Sequence, residues 1–225
     1  LRFLTPVHFG DTSEGGSLET ISLTLGSDAL FGACCHEICH YTGLLQSFID
    51  SVKDQHIVLS SLFPYCIDNG EYQLYVPTPI IHIDLKELPI TSFAETKRVA
   101  TEQKKIKKIE YIRALQLQNF SQYIEADISQ KYMPTFGAKQ TSAQVNMRGE
   151  MSRPYYVGNY QFMSHTGLYF IAGFNDDASR ELFEGIFEVL GLSGIGGKRS
   201  GGYGKFELAD NPIKLEVQGI YKDIS

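Results

Sequence analysis

The stretch from Gly191 to Gly204, GLSGIGGKRSGGYG, holds seven glycines in fourteen positions. Glycine loses more conformational freedom on folding than any other residue, so a chain concentrates it only where backbone must turn through positive φ or meet something closely. Lys198 and Arg199 stand in the middle of the stretch. Exposed N–H groups, no side-chain bulk and two cations together suit a phosphate backbone. The apolar spacing of Leu182, Phe183, Ile186, Phe187, Val189 and Leu190 predicts a helix over 177–190, capped by Asn175 or Asp176 and closed by Gly191. Tyr203 to Leu208 alternates like a strand, so the order is helix, glycine loop, strand. Nucleotide-binding loops run the other way and offer phosphate a helix N-terminus. Their motifs fail as well: Leu192 stands where GxxxxGK needs glycine, and Arg199 where GxGxxG, begun at Gly194, needs its last. An ATPase or a dinucleotide enzyme is excluded on these grounds. Beside the negative end of a helix, Lys198 and Arg199 must supply the attraction.

Bulk properties set the frame. A chain of 225 residues suits one large domain or two small ones. It has no apolar run long enough to cross a bilayer and no signal peptide, so the expectation is a soluble cytoplasmic protein. Four cysteines, two of them adjacent, do not form the pattern of a secreted disulfide framework. The net charge of −6 argues against a free-standing nucleic-acid binder but leaves room for a local basic groove.

Along the chain, residues 2–9 alternate as a first strand, ended by Gly10-Asp11, and 11–20 form a polar loop. Ser27 or Asp28 caps a helix that runs to about Tyr41 on an apolar face of Leu30, Phe31, Cys34 and Ile38. Within it Cys35/Cys39 and His36/His40 are each spaced i,i+4, a separation that can share a metal. With Cys66 standing alone and no second ligand cluster, the cysteines read as core filling and no metal is expected. Residues 44–90 carry short apolar runs: 57–60, 62–65, an Asp68-Asn69-Gly70 turn, and 72–76, which is an edge or ends at Pro77. The longest helical pattern covers 92–117, striped by Val99, Ile106, Ile109, Ile112 and Leu115. Its lysines 104, 105, 107 and 108 are either a solvated face or a positive patch near RNA or an acidic partner. Residues 129–154 contain Lys131, Lys139, Arg148 and Arg153 and read as a mobile basic hairpin or loop, with arginine suited to phosphates and to stacking on bases. Tyr155–Met163 and Leu168–Phe174 are two aromatic-rich strands joined as a hairpin at 164–167.

With residues 44–135 set aside as an insertion, the order is βαββαβ. That is the ferredoxin-like or RNA-recognition-motif plan of an antiparallel sheet with helices on one face, an α+β fold. The aromatic RNP1 signature of the ordinary motif is absent, so RNA would be held some other way. On this division 1–209 is the main domain, and 210–225 is too short to close anything by itself.

Three motifs carry a resemblance: Pro6-Val7-His8-Phe9-Gly10-Asp11; Ser27-Asp28-Ala29-Leu30-Phe31-Gly32-Ala33; and Gly194 through Phe206. Together they resemble the RAMP superfamily of CRISPR proteins and, more narrowly, the fourth-subunit family of the type III-A interference complex, the Csm complex. Lys108-Ile109-Glu110-Tyr111-Ile112 and Gly167–Ile171 also fit. The resemblance implies a ferredoxin-like fold whose glycine loop grips RNA. It implies a subunit that holds the repeat-derived 5′ tag of the guide RNA and contacts the large polymerase-type subunit and the first backbone subunit, with target RNA met indirectly and no membrane. It implies no nuclease activity and no cofactor, in a prokaryotic cytoplasm. Family members are longer, with a second ferredoxin-like domain that Gly219–Ile224 resembles in part. The candidate RNA-binding set is His8, Phe9, Gly10, Ser27, Lys139, Arg148, Arg153, Gly194, Gly196, Gly197, Lys198, Arg199, Ser200, Gly201, Gly202 and Tyr203, with Tyr203, Phe9 or Tyr155 as stacking platforms. Three alternatives stand beside this reading. The first is a guide-processing endoribonuclease of the same superfamily with His8 as acid or base, the second a metal-binding carboxylate at Asp11 or Asp28, and the third a plain scaffold.

Overall fold

The computed structural model describes residues 1–11, 17–79, 97, 101, 109–119, 135–148, 151–209 and 212–215. Within them the chain is α+β, three helices of defined extent packed against antiparallel strands.

The alternation seen at the start of the sequence becomes burial: Leu1, Phe3, Val7 and Phe9 face the core while Arg2 and Leu4 are exposed. Strand geometry sends successive peptide groups to opposite sides. Here β1 (Arg2–Phe3) and the extended residues after it use both. On one side Leu4 N–H donates to Lys205, and Pro6 and His8 accept from Gly204 and Gly197. On the other, Val7 exchanges bonds with Tyr160 and Phe9 accepts from Ser22. The Leu168 N–H donates to Leu1 on that side too.

Helix α1 (Ser27–Glu37) buries Leu30 and Cys34 one turn apart. Gly26, not Ser27 or Asp28, stands at its cap position, without a side-chain capping bond; the Ser27 N–H donates to Ser61 Oγ instead. The helix stops at Glu37, short of Tyr41, because Ile38–Cys39 fold into a turn and a second helix, α2 (Thr42–Lys53), begins at once. The sequence reading had no helix there. Phe48 of α2 is fully buried and stacks on Phe31 at 5.5 Å.

Strands β2 (Ile57–Leu59) and β3 (Phe63–Asp68) form a nearly continuous ladder with β9 (Ala172–Phe174) and β8 (Thr166–Tyr169), bridged by the Ser60 N–H bond to Ile171. These strands lie inside 44–135, so part of that expected insertion belongs to the main sheet. The Asp68-Asn69-Gly70 turn is present, with Asn69 and Gly70 at φ 51° and 82°, and leads into β4 (Glu71–Pro77). Beyond it β5 (Tyr111–Arg113) pairs with β4, giving the order β5-β4-β3-β8. β4 ends at Pro77 and is not an edge.

The helix read over 92–117 changes character before its end. Lys97 and Thr101 are helical, but Ile112 is a buried strand residue and Ala114–Asn119 is a 3-10 turn. The four lysines at 104–108 and Lys131 lie outside the described residues.

The basic segment is a long hairpin, β6 (Gly137–Arg148) against β7 (Met151–Phe162). The predicted hairpin at 164–167 is corrected: the turn exists, with His165 at φ 64°, but β7 pairs with β6 and β8 pairs with β3.

Helix α3 (Asp177–Ser193) matches its apolar spacing. Asp176 caps it by accepting the Ser179 N–H at 2.7 Å. Phe183 and Phe187 interleave with Phe170, Phe174 and Phe206 at 4.9–5.9 Å, which fastens α3 to the strands, β10 (Phe206–Glu207) included. The predicted closing glycine is corrected from Gly191 to Gly194, at φ 92°. Gly191 lies within the helix, where a β-carbon would meet the Phe206 carbonyl at 2.8 Å, so close packing accounts for this glycine. No described helix is long and apolar enough to cross a membrane.

Candidate nucleic-acid interface

The glycine stretch is a strap laid along the first strand. Its base is fixed by the Gly197 N–H bond to the His8 carbonyl and the Gly204 N–H bond to the Pro6 carbonyl, both 2.8 Å, and by Ile195 donating to Gly204 at 2.9 Å. This contact requires glycine. A β-carbon at Gly196 would lie 2.7 Å from the Phe9 ring, and one at Gly197 2.6 Å from the His8 ring. Much of the stretch therefore serves close approach to residues 6–9.

What rises from the strap is a short crest, Lys198 to Gly202, built on a 3-10 turn at Arg199–Gly201. Gly201 and Gly202 donate back to Lys198 and Arg199. The first N–H groups of such a turn have no partner within it, and those of Lys198, Arg199 and Ser200 make no backbone bond among the described residues. Ser200 and Gly201 are exposed. Lys198 adopts the left-handed φ of 60°, and its ammonium sits 5.1 Å from the centre of the Tyr155 ring, a cation–π contact. The Tyr155 hydroxyl is fixed in turn by donating to Gln144 at 2.6 Å.

Arg199 is placed differently from the free cation expected. Its guanidinium is 3.5 Å from the Glu37 carboxylate and donates to His36 Nδ1 at 2.8 Å. The Ser193 hydroxyl donates to the other Glu37 oxygen at 2.6 Å. Sequence reasoning passed over Glu37 and Ser193, since an ion pair between segments so far apart leaves no local signal. In the sequence His36 stands out only through its metal-ligand spacing with His40. Among the described residues no group of three His, Cys, Asp or Glu could hold a metal ion. Cys34 is inside the core, with burial pushing its thiol up to about 12.

The remaining candidates divide. His8 is buried under the strap; its Nδ1 donates to the Gly158 carbonyl at 2.7 Å, a carbonyl being able only to accept. Gly10 bridges to Ile21 beside it. Phe9 is a correction: at 1% exposure, edge-on to Phe3, its ring is core and offers no stacking surface. Tyr203 is half-buried, with its ring beside Gly201. Ser27 begins α1, roughly 15 Å of helix away from the Glu37 end that meets Arg199, so it is not brought to the crest. Arg153 shares a hairpin face with Tyr155, whereas Lys139, opposite Tyr160, is on the other face. There Lys139 donates to the Ile21 carbonyl at 3.3 Å and borders a cavity of about 290 Å³ that includes Asp11 and Glu19. Arg148 ends β6 opposite Met151. The interface brought together is thus the crest, Lys198, Tyr155 and Arg153.

No family model matches the sequence. Among curated proteins, the chain is 29% identical over 210 residues to the CRISPR system Cms protein Csm4 of Streptococcus thermophilus, covering 93% of this chain and 62% of that one. It is 27% identical over 206 residues to Csm4 of Thermococcus onnurineus, with 86% and 65% covered. Among solved structures, the fold is similar to a chain of the Csm1-Csm4 cassette in complex with cA4, with a TM-score of 0.53 at 20% identity, over 84% of this chain and 61% of that one. A chain of the same cassette with AMPPNP gives 0.53 at 21%. The chain spans a little over three fifths of the length of these curated relatives. Over most of its own length the chain is thus similar to the Csm4 proteins of CRISPR systems.

Proposed function

We propose that this protein is a non-catalytic guide-RNA-binding subunit of a type III-A effector complex, holding the repeat-derived 5′ tag of the guide RNA in a prokaryotic cytoplasm. The observation that carries the proposal is the crest. N–H groups without backbone partners among the described residues, a lysine over the Tyr155 ring, and an exposed Ser200-Gly201 tip are set on a strap hydrogen-bonded to the first strand. Such a surface suits a phosphate backbone, with Tyr155 or Tyr203 beside it for stacking. The large and backbone subunits are the partners the resemblance implies; the similarity to chains of Csm1-Csm4 cassettes is in keeping with the former.

The fine detail of the fold is part of the same proposal. β10 and β8 bond to opposite sides of the first strand, and β3 lies beyond β8. That is the neighbour order expected of a ferredoxin-like βαββαβ sheet, with α1 and α3 as its two helices.

The absence of catalysis is supported by the place of His8. The residue is 6% exposed, and its ring lies against Gly197 and is tied to Gly158, which leaves little access for a scissile phosphate. The test is to express the tagged full-length protein in a host carrying a CRISPR array and to sequence the co-purifying RNA. Guide RNAs sharing one 5′ tag, unchanged in length in H8A, are expected. Loss of tagged ends in H8A would instead make this chain the processing nuclease.

A further inference from the structure

We infer that Arg199 is a positioning residue, latched to the end of α1, and that Lys198 with the crest N–H groups makes the phosphate contact. This inference rests on the RNA-binding reading above and decides which of two adjacent cations grips.

The C-terminal ends of two helices meet at Arg199. Glu37 and His36 come from the last turn of α1, and Ser193 from the last residue of α3. An arginine has only donors, so the His36 nitrogen at 2.8 Å accepts. The Glu37 carboxylate, oriented by the Ser193 hydroxyl at 2.6 Å, stands 3.5 Å from the other guanidinium nitrogen. The side chains are 23% and 14% exposed for Arg199 and Glu37. A phosphate brought to Arg199 would meet a carboxylate already matched to it, and like charges repel. Lys198 makes no ion pair among the described residues, and its ammonium lies over the Tyr155 ring. Its backbone holds a left-handed φ of 60°, which residues with a β-carbon avoid. An anchor at the very next side chain explains how that conformation, and with it the direction of the crest, is maintained.

The experiment measures binding of a short fluorescein-labelled single-stranded RNA to the full-length protein across a salt series. On single strands each lost phosphate contact lowers the slope of log K against log salt by about 0.7. K198A is expected to weaken binding and flatten the slope by about that amount. E37Q and R199A are expected to weaken binding roughly tenfold, the scale of one charge-assisted hydrogen bond, with the slope unchanged. Hydrogen exchange should become faster at the amides of 198–202. R199K, which keeps the charge but not the two-pronged geometry, should behave like R199A, and E37Q/R199A should be no worse than R199A alone. Wild-type binding by E37Q, or a flattened slope in R199A, overturns the latch. A K198A protein identical to wild type in affinity and slope overturns the crest reading itself and the inference with it, a result distinct from a failure of E37Q alone.

Discussion

Replacing Gly197 by alanine tests why the strap is rich in glycine. The new β-carbon would sit 2.6 Å from His8 Cδ2, 3.5 Å from its Nε2 and 3.4 Å from its carbonyl oxygen. The first distance is far inside ordinary contact, so either the ring or the strap must move. The ring is buried and held by its 2.7 Å bond to Gly158; swinging it away sacrifices a hydrogen bond worth about 0.5–1.5 kcal/mol. Lifting the strap instead breaks the Gly197 bond to His8. Overpacking of this kind costs about 1–3 kcal/mol, and for a domain of this size each kcal/mol lowers Tm by about 2–4 °C. Gly201 provides the contrast, since a β-carbon there meets only the Tyr203 ring at 3.5 Å, so G201A should stay within about 0.5 kcal/mol of wild type. Urea unfolding followed by circular dichroism measures both. The cause is checked with H8A/G197A: removing the ring removes the clash, and the cycle should show a favourable coupling of about 1 kcal/mol or more. Wild-type stability in G197A, or strict additivity with H8A, would refute the close-approach argument.

The cap of α3 makes stability depend on acid. The Ser179 N–H bond, with the His56 ring, holds the Asp176 carboxyl below its ordinary value of 3.8. A depressed folded pKa contributes stability that is present above the unfolded value and lost as pH falls through the folded one. Asparagine also caps helices but does not titrate, so wild type should exceed D176N at neutral pH and the gap should close on acidification below 3.8. A gap in thermal midpoint that persists at the acid end would contradict this. Thiol reagents test the core: exposed Cys39 should be labelled at once, while Cys34, buried and pushed up to about 12, reacts only as the protein unfolds. Fast labelling of Cys34 in the native protein would place it outside the core.

The elements that could be read from sequence were those specified by nearby residues. The α3 stripe with its Asp176 cap, the Asn69-Gly70 turn and the alternation of the first strand each declare themselves within a few positions. Helix α2 was also legible, since Leu45, Phe48 and Val52 share one helical face, but the run was divided into short apolar pieces. What could not be read depends on distant partners. β8 turns from β7 to β3 because Thr166 pairs with Cys66, a choice no local pattern records. The Arg199 bond to His36 spans 163 residues. The glycine loop was half legible: its basic centre marked the crest, while the glycines that fit against His8 and Phe9 looked in sequence like room left for a ligand.

The most direct measurement is ultraviolet crosslinking of the assembled complex carrying this protein and its guide RNA, with the crosslinked peptides identified by mass spectrometry. The account predicts crosslinks from the 5′ tag to the peptide containing Lys198–Tyr203 and to Tyr155. Crosslinks from the tag that avoid both, in a complex that retains its RNA, would contradict it.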